Sequence, residues 1–173
     1  MSKKLFETLI ITLISIIIIP VPSDTFAKEK DKLDIDFVGT TFDGEKYYGK
    51  SLLGKTVLID FFAIWCGPCI DAFPVLNRLN DDLKESNFEV VSIAIYSGTV
   101  QDIMEIIGEY NLNFTMVIGD DDEIAIRYRI IGFPTYVLID PDGKIRKRYV
   151  GDRKDFYDII SADVKAINSE YRR

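Results

Sequence analysis

The segment KTVLIDFFAIW, residues 55–65, constrains the fold more than any other part of the chain. It is almost continuously apolar and rich in β-branched and aromatic side chains, with the charged residue Asp60 inside it. A run of this kind is typical of a central strand that is covered on both faces of a sheet. The apolar residues that follow recur every three or four positions, which predicts an amphipathic helix over residues 68–85 with a kink at Pro74.

The rest of the chain alternates in the same way between strand and helix patterns. Strands are predicted over residues 88–96, 114–119, 133–140 and 144–151, and helices over 100–110, 123–129 and 155–167. The turn PDG joins the last two strands, and Asp43-Gly44 marks a further hairpin near the start of the domain. This order predicts an α/β fold with a mixed central sheet flanked by helices.

The N-terminus has the features of an export signal. Lys3 and Lys4 precede an apolar stretch at residues 9–19, and a small-residue cleavage site ends at Ala27. An uncleaved membrane anchor over residues 5–21 is the alternative. In either case we expect the folded part to be exported, to a periplasmic or other extracytoplasmic space. The chain is accordingly divided into a signal peptide or anchor, a polar linker and a folded domain, at residues 1–27, 28–35 and 36–173.

The composition excludes several classes of function. The chain contains no histidine, which excludes Ser-His-Asp and Cys-His catalysis and haem attachment through Cys-x-x-Cys-His. The formal net charge is −7 and the sequence has no basic stripe, so nucleic acid is not an expected partner. A hydrophobic content of 47% over 173 residues is enough for a core that needs no disulfide staple.

The chain has two cysteines, Cys66 and Cys69, at the junction of the predicted central strand and helix. A structural staple is disfavoured because a bridge that closes so small a ring restricts the unfolded chain only slightly. A tetrahedral zinc site needs four ligands, so the absence of histidine leaves open only a site completed by carboxylates or by a second chain. The placement favours redox chemistry, because the unpaired N–H groups and the dipole of a helix N-terminus stabilise a Cys66 thiolate.

The sequence WCGPC after an apolar strand resembles the active site of the thioredoxins, and three further positions agree. Asp60 matches the buried aspartate of that family, Pro74 matches the proline that kinks its active-site helix, and Pro134 in GFPT matches its cis-proline. The export signal, an N-terminal β extension and an inserted helix and strand at about residues 100–118 make the chain similar to the exported TlpA- and ResA-like thiol-disulfide oxidoreductases. The resemblance implies a thioredoxin-like fold over nearly all of the domain.

The resemblance also implies a dithiol-disulfide cycle, in which Cys66 attacks a client disulfide and Cys69 resolves the mixed disulfide. Without histidine, Asp60 is the candidate acceptor of the Cys69 proton, and burial in so apolar a strand should raise its pKa. The alternative is a strand-end carboxylate that reaches water. The substrate-binding residues are predicted to be Trp65, Gly67, Pro68, Phe133 and Pro134. The alternatives here are a Trp65 that fills the core and a Pro134 in an ordinary trans bond.

We expect no metal, and no cofactor beyond the Cys66–Cys69 disulfide. The expected partners are a disulfide-bearing client protein and a membrane thiol-transfer electron donor, and we expect a monomer. The Gly-Pro dipeptide between the cysteines favours a protein-disulfide reductase. A dithiol oxidase or isomerase is the first alternative. A peroxiredoxin-like antioxidant is the second, although Ala63 stands where that class has threonine, and a non-catalytic binding module of the same fold is the third.

Two acidic features have no assigned part in that cycle. ResA-like proteins often carry a glutamate three residues after the second cysteine, where this chain has Ala72 beside Asp71. The run from Asp120 to Asp122 lacks the loop pattern of a calcium site. We therefore expect a solvated turn whose last aspartate caps the following helix.

Overall fold

The computed structural model describes residues 34–171. The predicted signal peptide or anchor lies outside these residues, as does the predicted linker apart from its last two positions. In chain order the elements are β1 (Val38–Thr40), β2 (Lys46–Tyr48), β3 (Thr56–Phe62), α1 (Gly67–Asp71), α2 (Phe73–Leu83), β4 (Phe88–Ala94), α3 (Val100–Gly108), β5 (Thr115–Gly119), α4 (Asp121–Arg127), β6 (Thr135–Ile139), β7 (Ile145–Val150) and α5 (Phe156–Tyr171). No helix within residues 34–171 has the length and hydrophobicity that a membrane span requires.

The strands form one mixed sheet in the order β2-β1-β5-β4-β3-β6-β7. Strands β3, β4 and β5 run parallel to one another, whereas β6 and β7 on one side and β1 and β2 on the other pair antiparallel. The predicted α/β fold with a mixed central sheet is therefore confirmed. The predicted β extension and the inserted helix and strand are both present, and they meet, because β1 lies beside β5.

Strand β3 lies within the sheet and is buried at every position. Its alternate side chains reach two separate apolar clusters: the odd-numbered ones from Val57 to Phe61 pack on one face, and Leu58 and Phe62 pack on the other. This coverage on both faces is why the segment is apolar almost throughout. Position 60 falls in the even-numbered set, so Asp60 points toward the face that is covered by α1, α2 and α5.

The predicted helix over residues 68–85 consists of α1 and α2, which are separated at Ala72. A proline in a continuous helix would remove the hydrogen bond to the carbonyl four residues earlier, here that of Ile70. At the second position of α2 this loss does not arise, because the first N–H groups of a helix have no partner within it. The predicted kink at Pro74 is therefore a break.

The boundaries of α4 and α5 differ from the prediction. Helix α4 begins at Asp121, because the Asp120 carboxylate accepts the N–H of Glu123 at 2.9 Å and so caps the helix. The prediction that Asp122 is the cap is therefore wrong. Helix α5 extends to Tyr171, beyond the predicted end at residue 167.

The start of the domain also needs correction, because Asp34 and Ile35 belong to the fold and not to the linker predicted over residues 28–35. The N–H groups of both residues donate to the Gly143 carbonyl, at 2.9 and 3.2 Å. The Asp34 carboxylate accepts the N–H of Ile145 at 2.9 Å, and the Ile35 side chain is fully buried. The sequence gives no sign of this packing, because the preceding residues 28–32, KEKDK, are all charged and indicate a linker.

We expect Ile35→Ala to lower the free energy of unfolding by about 3 kcal/mol, because it leaves a cavity in a closed apolar cluster. Val38→Ala is the matched control, since Val38 lies three positions on and its side chain is exposed. That control should change stability by less than about 0.5 kcal/mol. Urea denaturation measures both values. Equal stability of Ile35→Ala and wild type would show that the domain starts later.

Candidate active site

Cys66 and Cys69 form a disulfide bond at the start of α1. Cys66 is the N-cap residue, and its Sγ accepts the N–H of Cys69 at 3.2 Å. Cys66 is 7% exposed and Cys69 is 1% exposed, so both residues are buried and Cys66 is the more exposed of the two. Once the bond is reduced, an N–H donor aimed at Sγ favours a Cys66 thiolate.

Asp60 lies in β3 opposite Ser92 of β4 and Tyr136 of β6. Its carboxyl is 1% exposed, which contradicts the alternative of a strand-end group that reaches water. Oδ2 accepts the Ser92 hydroxyl at 2.7 Å, and Oδ1 has no hydrogen-bond partner among residues 34–171. Burial raises the pKa of Asp60 to about 7, and the Ser92 hydrogen bond opposes part of that rise.

The carboxyl and the two sulfurs share one side of the sheet. Cys66, Cys69 and Tyr136 belong to the same apolar cluster, which lies on the face toward which Asp60 points. The pKa of Tyr136 is raised, first by burial and then by the charge of the nearby Asp60. The apolar cluster that holds the disulfide therefore also borders a carboxyl whose pKa is close to 7.

The rim of the site is aromatic. Trp65 is 66% exposed, so the alternative that it fills the core is wrong. Its ring packs edge-to-face against Phe133, with ring centroids 5.5 Å apart. Gly67 and Pro68 are exposed beside it. The Phe133–Pro134 peptide bond is cis, as the resemblance implied, and Pro134 itself is buried.

Sequence reasoning missed the loop after β4. Tyr96 falls within the predicted strand over residues 88–96, but β4 ends at Ala94 and Tyr96 is 43% exposed. Its carbonyl accepts the Trp65 Nε1–H at 2.8 Å. The Ser97 hydroxyl accepts the N–H of Ile64 at 3.2 Å. The turn sequence YSG after a buried strand signals a loop at this point, but nothing in it identifies the partner.

Ser92 was also missed, although a signal for it exists. It is a hydroxyl residue within an otherwise apolar strand, and the parallel register of β3 and β4 places it opposite Asp60. Asp71 is exposed on α1. Residues 34–171 contain no grouping of three or more Cys, Asp or Glu side chains that could hold a metal ion.

A family model described as Redoxin matches residues 22–164. The chain belongs to the redoxin family. This redoxin is 32% identical over 133 residues to the thiol-disulfide oxidoreductase ResA of Bacillus cereus, which covers 74% of this chain and 76% of the relative.

Two solved structures are similar to this redoxin. A Chlorobium tepidum protein assigned as a thiol:disulfide interchange protein, DsbE, has a TM-score of 0.73 at 27% identity, covering 79% of this chain and 96% of that one. A secreted disulfide oxidoreductase of Mycobacterium tuberculosis has a TM-score of 0.63 at 28% identity, covering 77% and 97%. The redoxin is therefore a thiol-disulfide oxidoreductase with a thioredoxin-like fold, and the predicted family is confirmed.

The raised pKa of Asp60 makes the stability of the redoxin depend on pH. The ordinary aspartate pKa of 3.8 applies in the unfolded chain, so the folded protein binds this proton more tightly. Stability from this group is fully present below pH 3.8, falls as the pH rises toward 7, and is then constant. The difference in pKa corresponds to about 4 kcal/mol.

We therefore expect Asp60→Asn to be more stable than wild type by about 2–4 kcal/mol near pH 8.5, and by much less near pH 4, because asparagine cannot ionise. Denaturant unfolding of the oxidised protein across that pH range measures the difference. Asp71→Asn removes an exposed carboxylate from the same region and should leave the pH dependence as in wild type. A pH-independent gap between Asp60→Asn and wild type would contradict a raised pKa.

Proposed function

We propose that this redoxin is an exported reductase of protein disulfides, which passes two electrons from the Cys66 and Cys69 thiols to a client. The observation that carries the proposal is the division of the site. Cys66 is the N-cap of α1 and is 7% exposed, whereas Cys69 is 1% exposed, and both lie on the same face of the sheet as a carboxyl with a pKa of about 7. We infer that Cys66, the more exposed of the two, attacks the client and that Cys69 resolves the mixed disulfide.

In the first step the Cys66 thiolate attacks one sulfur of the client disulfide. A bond forms between Cys66 and the client, and the other client sulfur leaves as a thiolate that takes a proton from water. The N–H of Cys69, 3.2 Å from the Cys66 sulfur, stabilises the attacking thiolate without neutralising it. Cys69 is 1% exposed and stays out of reach of the client.

In the second step Cys69 attacks the Cys66 sulfur and releases the second client thiol. The Cys69 thiol must first lose its proton, and Asp60 is the proposed acceptor, either directly or through a water molecule. A carboxylate with a pKa of about 7 matches this transfer better than one near 4, because its affinity for the proton is closer to that of a thiol. The cycle leaves the protein oxidised.

The client is proposed to bind along the rim, against Trp65, Gly67, Pro68, Phe133 and Pro134. The Pro134 carbonyl already accepts the N–H of Gly151 at 2.9 Å. Phe133 makes no backbone hydrogen bond within residues 34–171, so its peptide groups are available to an extended client chain.

Export is proposed from the leader-like residues 1–27 and from the similar M. tuberculosis protein that is described as secreted. Thiols tend to be oxidised outside the cytoplasm, so a reductase there needs a supply of electrons. A membrane thiol-transfer protein is the proposed donor. It would reduce the Cys66–Cys69 bond by the reverse of the two steps above.

The direction of electron flow is tested by the equilibrium potential of the Cys66–Cys69 couple. We expect a value near or below about −250 mV, as in reducing thioredoxins, when the purified protein is titrated against a thiol redox buffer. A value of about −120 to −180 mV would make the protein a disulfide donor or isomerase instead.

The order of the two cysteines is tested with a probe peptide of nine residues whose single cysteine is joined to 2-nitro-5-thiobenzoate. We expect reduced Cys69→Ser to release the coloured thiolate and to keep the peptide bound covalently to Cys66, because no second thiol can resolve the adduct. Cys66→Ser should form no adduct at a comparable rate. Mass spectrometry of the intact protein identifies the adduct. A stable adduct on Cys66→Ser, and none on Cys69→Ser, would reverse the assignment.

A further inference from the structure

Tyr96 adopts a backbone conformation that is unusual for its residue type. Its φ is 51°, in the left-handed region that asparagine, aspartate and above all glycine adopt readily. Gly98, two residues later, has a φ of 76°, and the chain bends at Tyr96 soon after the end of β4. A tyrosine in this region persists only when its surroundings hold it there, and such residues cluster at functional sites.

The start of α4 provides the groups that hold Tyr96. The Asp121 carboxylate accepts the Tyr96 N–H at 2.6 Å, and Asp122 accepts the phenol O–H at 3.3 Å. The first of these contacts is the shorter, and it acts on the backbone that carries the strain. Two residues of the acidic run, Asp121 and Asp122, therefore bind Tyr96. Neither the calcium-site pattern nor the helix cap explains these contacts.

The backbone carbonyl of Tyr96 contacts the rim of the active site. The Tyr96 carbonyl accepts the Trp65 Nε1–H at 2.8 Å. Trp65 is 66% exposed, so its orientation depends on this hydrogen bond and on the edge-to-face contact with Phe133. One residue thus connects a carboxylate of α4 to the indole that precedes Cys66.

We propose that Asp121 is a positioning residue for Trp65. Through the backbone of Tyr96 it fixes the indole beside Cys66 and against Phe133, so that the rim meets an extended client chain in an orientation that is already formed. The inference rests on the proposed function, in which the client binds at this rim. An orientation fixed in advance lowers the entropy lost on binding, and it therefore acts on affinity for a peptide and not on the chemistry of the sulfurs.

Three variants separate this role from the effect of charge. Asp121→Ala removes the acceptor, whereas Asp121→Asn keeps an oxygen that can accept the Tyr96 N–H but removes the charge. Asp122→Ala is the matched control, because it removes the same charge from the next position of α4 and leaves the Tyr96 backbone contact in place. Asp121 and Asp122 are both exposed, so all three variants should keep the fold. Far-ultraviolet circular dichroism checks this.

The first measurement is the fluorescence of Trp65, which is the single tryptophan of the chain. In the oxidised protein we expect Asp121→Ala to lower the steady-state anisotropy and to increase quenching by acrylamide, since the indole is released from Tyr96. Asp121→Asn and Asp122→Ala should both behave as wild type. An Asp121→Ala protein with wild-type anisotropy and quenching would overturn the proposal, and so would an Asp121→Asn protein that behaves like Asp121→Ala.

The second measurement is a single-turnover experiment, in which the reduced protein is mixed with excess probe peptide. Here kcat is the maximal rate at which the coloured thiolate is released, and KM is the peptide concentration that gives half that rate. We expect Asp121→Ala to raise the KM for the peptide by about 3–10-fold with little change in kcat, because Trp65 loses the orientation that one hydrogen bond maintains. Its rate with the small disulfide 5,5′-dithiobis(2-nitrobenzoic acid) and its redox potential should equal those of wild type. An equal loss of rate with both disulfides would overturn the positioning role.

The two proposals can fail separately. If Cys66→Ser still reacted with the probe peptide at the wild-type rate, the proposed cysteine cycle would be wrong, whatever the fluorescence of Asp121→Ala. If the cysteine cycle held and Asp121→Ala left both the fluorescence and the peptide KM unchanged, the positioning role alone would be wrong.

Discussion

Burial of β3 on both faces is the constraint on which the rest of the structure depends. A strand with no solvated side must be apolar, and a carboxyl placed within it loses its hydration. Asp60 therefore has a pKa of about 7, and the Ser92 hydroxyl is the hydrogen-bond partner that partly offsets the loss of water. Because α1 follows β3 after a short turn, the cysteines lie on the same face of the sheet as this carboxyl.

The site combines a deep part with a rim, and the two are built differently. The deep part, Asp60 with Cys66 and Cys69, comes from consecutive elements, β3 and α1, and its geometry follows from strand alternation and a helix N-cap. The rim comes from segments far apart in sequence, which meet through single hydrogen bonds and one aromatic contact, such as that of Trp65 with Phe133. Chemistry and recognition can thus change independently in a fold of this kind.

The same difference explains what the sequence could predict. The strand within residues 55–65, the cysteine pair and a distortion of the helix at Pro74 are local patterns, and each was predicted from residues close together in the chain, although the distortion was predicted as a kink and is a break. The role of Tyr96 depends on a left-handed φ and on a carboxylate 25 positions away, and no local pattern encodes either. Ile35 was missed for a related reason: its polar neighbours suggest a linker, and only the distant Gly143 and Ile145 show that the chain is already packed there.

The pairing of β1 with β5 makes the N-terminal hairpin and the inserted α3–β5 segment a single unit. On its other side β5 pairs with β4, so without the hairpin β5 would be an open strand edge with unpaired N–H and C=O groups, which is a template for aggregation. Without the insertion, β4 would present the open edge instead, and the hairpin would lose the strand with which it pairs. The two segments therefore protect the same side of the sheet, and a smaller version of this domain would need another way to cover that edge.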